Sequence, residues 1–240
     1  MAVGHVTNRD ESASWRITRT MSPKFKPFSH ESKADIDMVD VGLVSFYMSN
    51  IPEEARDLQA KVFDKMGAAI NQVLFTDTHA KAIDRYISEN LGFKYFVIFD
   101  IDAIPLEPTA IKLLIGNAQN CLVGTAHEAS HVTPKYPFAG PECICFSTEL
   151  FSKLGCPSFQ QTKRGDVGAE LTLIAQEKGL DVSLIWPSHV AVPKWKLGAD
   201  MFTGAGTTYE DLIYHNYEAR YSTKRFVAKC KEILADGPAC

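Results

Sequence analysis

Asp100 and Asp102 stand two positions apart at the end of an apolar run, residues 95–99, and Pro105 breaks the segment soon after. Five consecutive apolar residues predict a strand buried on both faces, as in a parallel sheet covered by helices. Side chains alternate along a strand, so both carboxylates are expected on one side and Ile101 on the core side. Two like charges so placed repel each other and are costly to bury. A divalent cation resolves that conflict, and oxygen ligands suit Mg²⁺ or Mn²⁺ shared with a substrate phosphate. The plainer alternative is that the aspartates cap the next turn, since a short Asp-x-Asp recurs by chance. Further along, Asp166 opens a helical pattern closed by Gly179, and His215 lies on a short apolar segment behind a glycine-bearing stretch. An aspartate in that place serves as helix cap, proton acceptor or both. A histidine in that place is a metal ligand or a hydrogen-bonded core residue.

These side chains need elements to hold them. Residues 41–48 read as a first strand. Pro52 opens a helix with Ala55, Leu58, Val62, Phe63 and Met66 on one face. Residues 70–75 form a second strand, and Thr78 caps a helix that buries Ile83, Ile87 and Leu91 before Gly92 stops it. The strand ending in the two aspartates comes next. Strand-helix-strand-helix-strand is the signature of a parallel sheet with right-handed crossovers. Pro108 starts a helix, residues 121–125 and 142–146 read as strands, and a short helix then ends at Gly155. Residues 181–186 form a strand, 193–211 a loop and 212–216 a short strand. Ser222 caps a last helix burying Phe226, Val227, Cys230, Ile233 and Leu234. The expected fold is α/β, a mostly parallel, Rossmann-like central sheet flanked by helices in a single domain, residues 39–235. Residues 1–38 lack periodicity and read as a poorly ordered arm, and residues 236–240 as a tail.

The 240 residues, 45% hydrophobic and 22% charged, suit one soluble domain with a sizeable core. A net charge of −4 argues against a nucleic-acid partner, which normally meets a basic face. There is no apolar run of membrane-spanning length and no hydrophobic signal core. The expected location is cytoplasmic, free or peripheral at a membrane. The six cysteines fall beside apolar segments or at the terminus, which reads as reduced, buried thiols. Cys143 and Cys145 have the wrong spacing for a zinc knuckle and read as core packing.

Over residues 39–235 the pattern resembles the GT-A fold of DxD-containing, family-2-like nucleotide-sugar glycosyltransferases. Asp100-Ile-Asp102, the Gly165-Asp166 step and His215 carry the resemblance. It implies a nucleotide-binding half, residues 39–102, and an acceptor half, residues 103–235. It implies a metal-dependent glycosyltransferase of the hexosyltransferase class, working in glycan biosynthesis. Such an enzyme moves a sugar from a nucleoside-diphosphate donor, of UDP or GDP type, to a hydroxyl of a glycan or lipid-linked acceptor, with inversion. Asp100, Asp102 and His215 would hold Mn²⁺ or Mg²⁺, and Asp166 would be the catalytic base. Family-2-type enzymes carry a Glu before that aspartate, and here Gly165 stands in its place. Phe46, Tyr47, His79, Asp84 and Asp100 would face the nucleotide, and His131, Glu142 and Trp195 the donor or acceptor pocket. The loop 198–211 would close over the donor.

Three other readings compete. Asp100-x-Asp102 also resembles the first motif of haloacid-dehalogenase-like phosphohydrolases, and Gly165-Asp-Val-Gly-Ala-Glu170 mimics their last. Their nucleophile usually ends the first strand, whereas two strand-helix units precede Asp100. His127-Glu-Ala-Ser-His131 matches the H-E-x-x-H pattern of zinc peptidases, which needs a helix; here it directly follows a strand. The third is a non-catalytic sugar-nucleotide binder, against which the intact Asp100, Asp102 and Asp166 count.

Overall fold

The computed structural model describes residues 25–31, 36–128, 135–198 and 200–236. Strand β1 (Val41–Tyr47) is apolar at nearly every position and buried along most of its length. Helix α1 (Glu53–Lys65) follows with Pro52 at its N-cap. Glu53 and Glu54 in its first turn and Lys65 in its last suit the helix dipole, and Ala55, Leu58, Val62 and Phe63 form its buried stripe. Strand β2 (Asn71–Leu74) pairs parallel with β1. Helix α2 (His79–Glu89) starts at Thr78, whose hydroxyl accepts a hydrogen bond from the Lys81 N–H at 3.3 Å. Strand β3 (Tyr95–Asp100) returns to the other side of β1, also parallel. The expected βαβαβ unit is therefore present.

Beyond β3 the chain adds β4 (Ala103–Pro105), α3 (Ala110–Asn117), β5 (Cys121–Glu128), β6 (Pro137–Ser147), α4 (Thr148–Leu154), α5 (Ala169–Glu177) and β7 (Asp181–Ile185). The main sheet has the order β2-β1-β3-β6-β5-β7. Only β6 runs against its neighbours, so the sheet is mostly parallel, as expected. One face packs on α1 and α3, together with the last helix, α6 (Lys224–Ala235); the other packs on α2, α4 and α5. Two covered faces explain why β3 reads as a continuous apolar run.

Several expectations are corrected. Residues 193–211 are not a loop: β8 (Pro187–Leu197) and β9 (Met201–Tyr209) form a long antiparallel hairpin. With β10 (Ile213–His215) and β4 they make a second sheet, order β4-β10-β9-β8. Strand β8 is exposed over most of both faces, so it lacks the alternation that marks a half-buried strand. Gly204 reads as a turn residue but serves close approach, since a Cβ there would lie 2.1 Å from the Val192 carbonyl oxygen. Asp166 does not cap α5; Gly168, at φ 80°, occupies the N-cap. Thr223 rather than Ser222 is the N-cap of α6. Leu91, expected under α2, lies beyond its end and is 54% exposed. Within the N-terminal arm, Lys26 bridges to Ser183 on β7, Phe25 packs edge-on against Trp186, and Asn117 brackets Ser29 with two hydrogen bonds.

Candidate active site

Strand β3 ends at Asp100, and Ile101 and Asp102 form the turn that carries the chain into β4 of the second sheet. The turn, rather than strand alternation alone, aims both carboxylates at one place. Gln59 of α1 clamps it from below, its side-chain amide donating to the carbonyls of Asp100 at 2.8 Å and Ala103 at 3.0 Å. The antiparallel register of β10 on β4 sets His215 opposite Ala103, and the Asn216 N–H donates to the Asp102 carbonyl at 2.9 Å. His215 thus arrives beside the turn from 113 residues away.

The ligand atoms of Asp100, Asp102 and His215 lie within 4.8 Å of one another. His215 Nε2 is 3.1 Å from Asp102 Oδ1 and 3.5 Å from Asp100 Oδ2. Asp102 Oδ2 also accepts the N–H groups of Glu218 at 3.2 Å and Ala219 at 3.0 Å. Burial pushes the Asp100 carboxyl above its ordinary range, and His79 and His215 offset this only in part. Burial pushes Asp102 up as well, but His215 and the two amides outweigh it and hold Asp102 below its ordinary range. Burial lowers the His215 imidazole, but Asp102 and Asp100 outweigh it and raise it. Two features fit a divalent cation here. Neighbouring ligands around a small octahedral ion stand about 3 Å apart, close to the spacings found. Asp100 is also under-compensated in a half-buried place, and a cation would relieve that. Two carboxylates with one imidazole suit Mn²⁺ or Mg²⁺ better than a thiolate-seeking metal.

The triad forms the floor of an open cleft with a cavity volume of about 160 Å³. Of the residues expected at the nucleotide, Phe46, Tyr47, His79 and Asp100 line it. Asp84 does not. Its carboxylate accepts the Phe159 N–H at 2.7 Å and the Ser158 hydroxyl at 2.5 Å, on a part of α2 turned toward that segment. Phe75, Arg220 and Tyr221 also line the cleft and were not expected from the sequence.

A second cleft adjoins it, lined by His127, Glu128, Lys135, Lys194, Trp195 and Lys196 together with Thr203. Behind it, Glu142 is buried beside His127, with Oε1 2.7 Å from Nδ1, and the Tyr217 hydroxyl donates to the same oxygen at 2.9 Å. Burial pushes Glu142 up, but His127 overrides it and holds the carboxyl at about 2. Burial lowers His127, but Glu142 overrides it and raises the imidazole, with Asp166 adding in the same direction. Asp166 therefore lies within electrostatic reach of this pair. Tyr217 is the wall between the clefts. Its ring centroid lies 3.8 Å from that of His215, 5.5 Å from that of Trp195 and 6.1 Å from that of His127. It is held at φ 61°, a backbone conformation costly for a side chain of this size. Of the residues assigned to the donor or acceptor pocket, Trp195 lines the second cleft, whereas Glu142 stands behind the wall. His131 lies outside the described residues.

The competing chemistries lack their scaffolds. His127 and Glu128 occupy strand β5, not a helix, so the zinc-peptidase geometry is not formed there. Asp100 ends the third strand of a six-stranded sheet, and residues 165–170 end no strand, unlike the phosphohydrolase motifs. Cys143 and Cys145 are free and buried in the core, as expected.

The chain is similar to solved glycosyltransferases. The catalytic domain of Drosophila β1,4-galactosyltransferase 7 in complex with xylobiose matches at 16% identity and TM-score 0.44, over 73% of this chain and 69% of that one. A mutant of the Drosophila enzyme in complex with manganese, UDP-Gal and xylobiose matches at 14% identity and TM-score 0.41, over 75% and 74%. A glycosyltransferase involved in glycosylation of the major capsid of PBCV-1 matches at 10% identity and TM-score 0.30, over 48% and 64%. No family model and no curated protein sequence matches the chain. No described helix is long and apolar enough to cross a membrane.

Proposed function

We propose that this chain is a metal-dependent glycosyltransferase of the GT-A type. It would move a sugar from a nucleoside-diphosphate donor to an acceptor hydroxyl, with inversion. The observation that carries the reading is the convergence of Asp100, Asp102 and His215 on the floor of an open cleft. Those three residues would hold Mn²⁺ or Mg²⁺, which when bound supplies Lewis-acid stabilisation of the leaving diphosphate. Phe46, Tyr47 and Phe75 offer apolar and aromatic surface for the nucleoside, with a UDP-type donor tried first. Arg220 lines the same cleft and would neutralise charge on the departing diphosphate. Asp166, close to His127 on the acceptor side, would take the proton of the attacking hydroxyl. The acceptor would be a glycan or a lipid-linked sugar.

A thermal-shift screen of UDP- and GDP-sugars, with and without Mn²⁺, tests this. At about 100 times its dissociation constant, the correct donor should add about 2.7 kcal/mol, or roughly 5–10 °C in Tm for a chain this size. The shift should require manganese and disappear in Asp100→Asn and Asp102→Asn. A metal-independent shift, or one that survives both substitutions, removes this cleft from donor binding.

A further inference from the structure

We propose that the second cleft is an acceptor subsite for an acidic sugar, a pyranose bearing a carboxylate or a phosphate; this rests on the glycosyltransferase reading. Three observations converge. The first is charge: the whole chain carries a net −4, yet among the described residues this cleft is lined by Lys135, Lys194 and Lys196 against one carboxylate, Glu128. A cleft lined mainly by one sign concentrates ligands of the other. Lys194 is tied to Glu218 at 2.7 Å and Lys135 lies 3.8 Å from Glu128, while Lys196 makes no ion pair among the described residues. Lys196 is therefore the cation most available to a bound anion.

The second observation is an aromatic platform. Trp195 is 43% exposed and lines the cleft, with the Lys194 ammonium 5.9 Å from its ring centroid. A large apolar ring left partly in water offers a face to the C–H side of a pyranose. The third is position. Trp195 meets Tyr217, and Tyr217 meets His215, so one aromatic ring separates this cleft from the proposed metal centre. His127 lines the same cleft, and Glu142 fixes its Nδ1, which orients the imidazole without using the lysines. A sugar lying on Trp195 with its anionic group toward Lys196 would be held next to the donor cleft.

Binding is measured without metal or donor, by ligand-observed NMR and calorimetry with methyl glucuronide, glucose 6-phosphate and methyl glucoside. At least one acidic probe should bind tenfold or more tighter than methyl glucoside, and its affinity should fall with salt. The uronide and phosphate arms separate the two sources of the negative charge. Lys196→Ala should weaken the acidic probe about tenfold, and Trp195→Ala should weaken all three. Both side chains are exposed, so folding is not at stake. Equal affinity for the neutral and acidic glucosides, acidic binding unchanged by Lys196→Ala, or no binding of any probe overturns the proposal. The manganese-dependent donor shift is read at the other cleft, so loss of the transferase reading is a separate result.

Discussion

At the scale of single residues, the site turns on how buried charges are compensated. Asp102 is well served, with an imidazole and two backbone amides on its carboxylate, whereas Asp100 has two more distant imidazoles and remains raised. A cation would therefore change Asp100 more than Asp102. Asp166 is a different kind of carboxylate. It does not cap the helix that follows it, so its replacement leaves that helix's N-cap in place. Asp166→Asn should slow sugar transfer by about 10²–10⁴ while manganese-dependent donor binding persists. Steady-state transfer rates beside donor titrations check this, and transfer at the normal rate would remove Asp166 as the base. Asp100 and Asp102 were legible in the sequence because a two-residue spacing at the end of an apolar run is a local pattern. His127 stood in the sequence only as part of a decoy motif. Its actual partner, Glu142, lies on the neighbouring strand β6 and leaves no local trace.

At the scale of elements, the decisive structure is the second sheet. The β10 pairing on β4 delivers His215, and the β8–β9 hairpin delivers Lys194, Trp195 and Lys196 to the second cleft. A hairpin whose outer strand is exposed on both faces needs no hydrophobic alternation, so the sequence pattern there is that of a loop. The hairpin depends on Gly204, where a Cβ would meet the Val192 carbonyl oxygen at 2.1 Å and the Lys194 amide nitrogen at 2.7 Å. Both are backbone atoms and cannot step aside without breaking the pairing. Gly204→Ala should destabilise the chain by about 1–3 kcal/mol. It should also disturb the second cleft more than the first. Denaturant unfolding combined with hydrogen exchange across residues 187–209 would register this. Protection in β8 and β9 equal to that of the unaltered chain would show that the close approach is unimportant.

At the scale of the whole molecule, buried ion pairs make stability depend on pH. Glu142 is held at about 2 against an ordinary 4.5, a depressed carboxyl. Its contribution is fully present above 4.5 and is lost as pH falls toward 2. His127 is raised above an ordinary 6.5, so its contribution is present below that value and is lost as pH rises through the raised value. For this pair, stability should be greatest between these limits. Glu142→Gln should flatten the acid limb. It should also cost about 1–3 kcal/mol near neutrality, because His127 loses its charged hydrogen-bond partner. Urea midpoints measured from acid to mildly alkaline pH decide this, and an unchanged acid limb in the variant would assign the pH dependence to other groups.

The sequence by itself determined the βαβαβ unit and the carboxylate pair at its end. Hydrophobic period, helix caps and a buried parallel strand are all written within a few neighbouring residues. Tertiary structure decided how His215, which the sequence offered as either a ligand or a core residue, reaches that pair, that Tyr217 stands between two clefts, and that Glu142 backs His127. Each of those meetings depends on the register and closure of strands far apart in the chain. Register of that kind follows from the packing of the whole core, not from any local spacing of residue types.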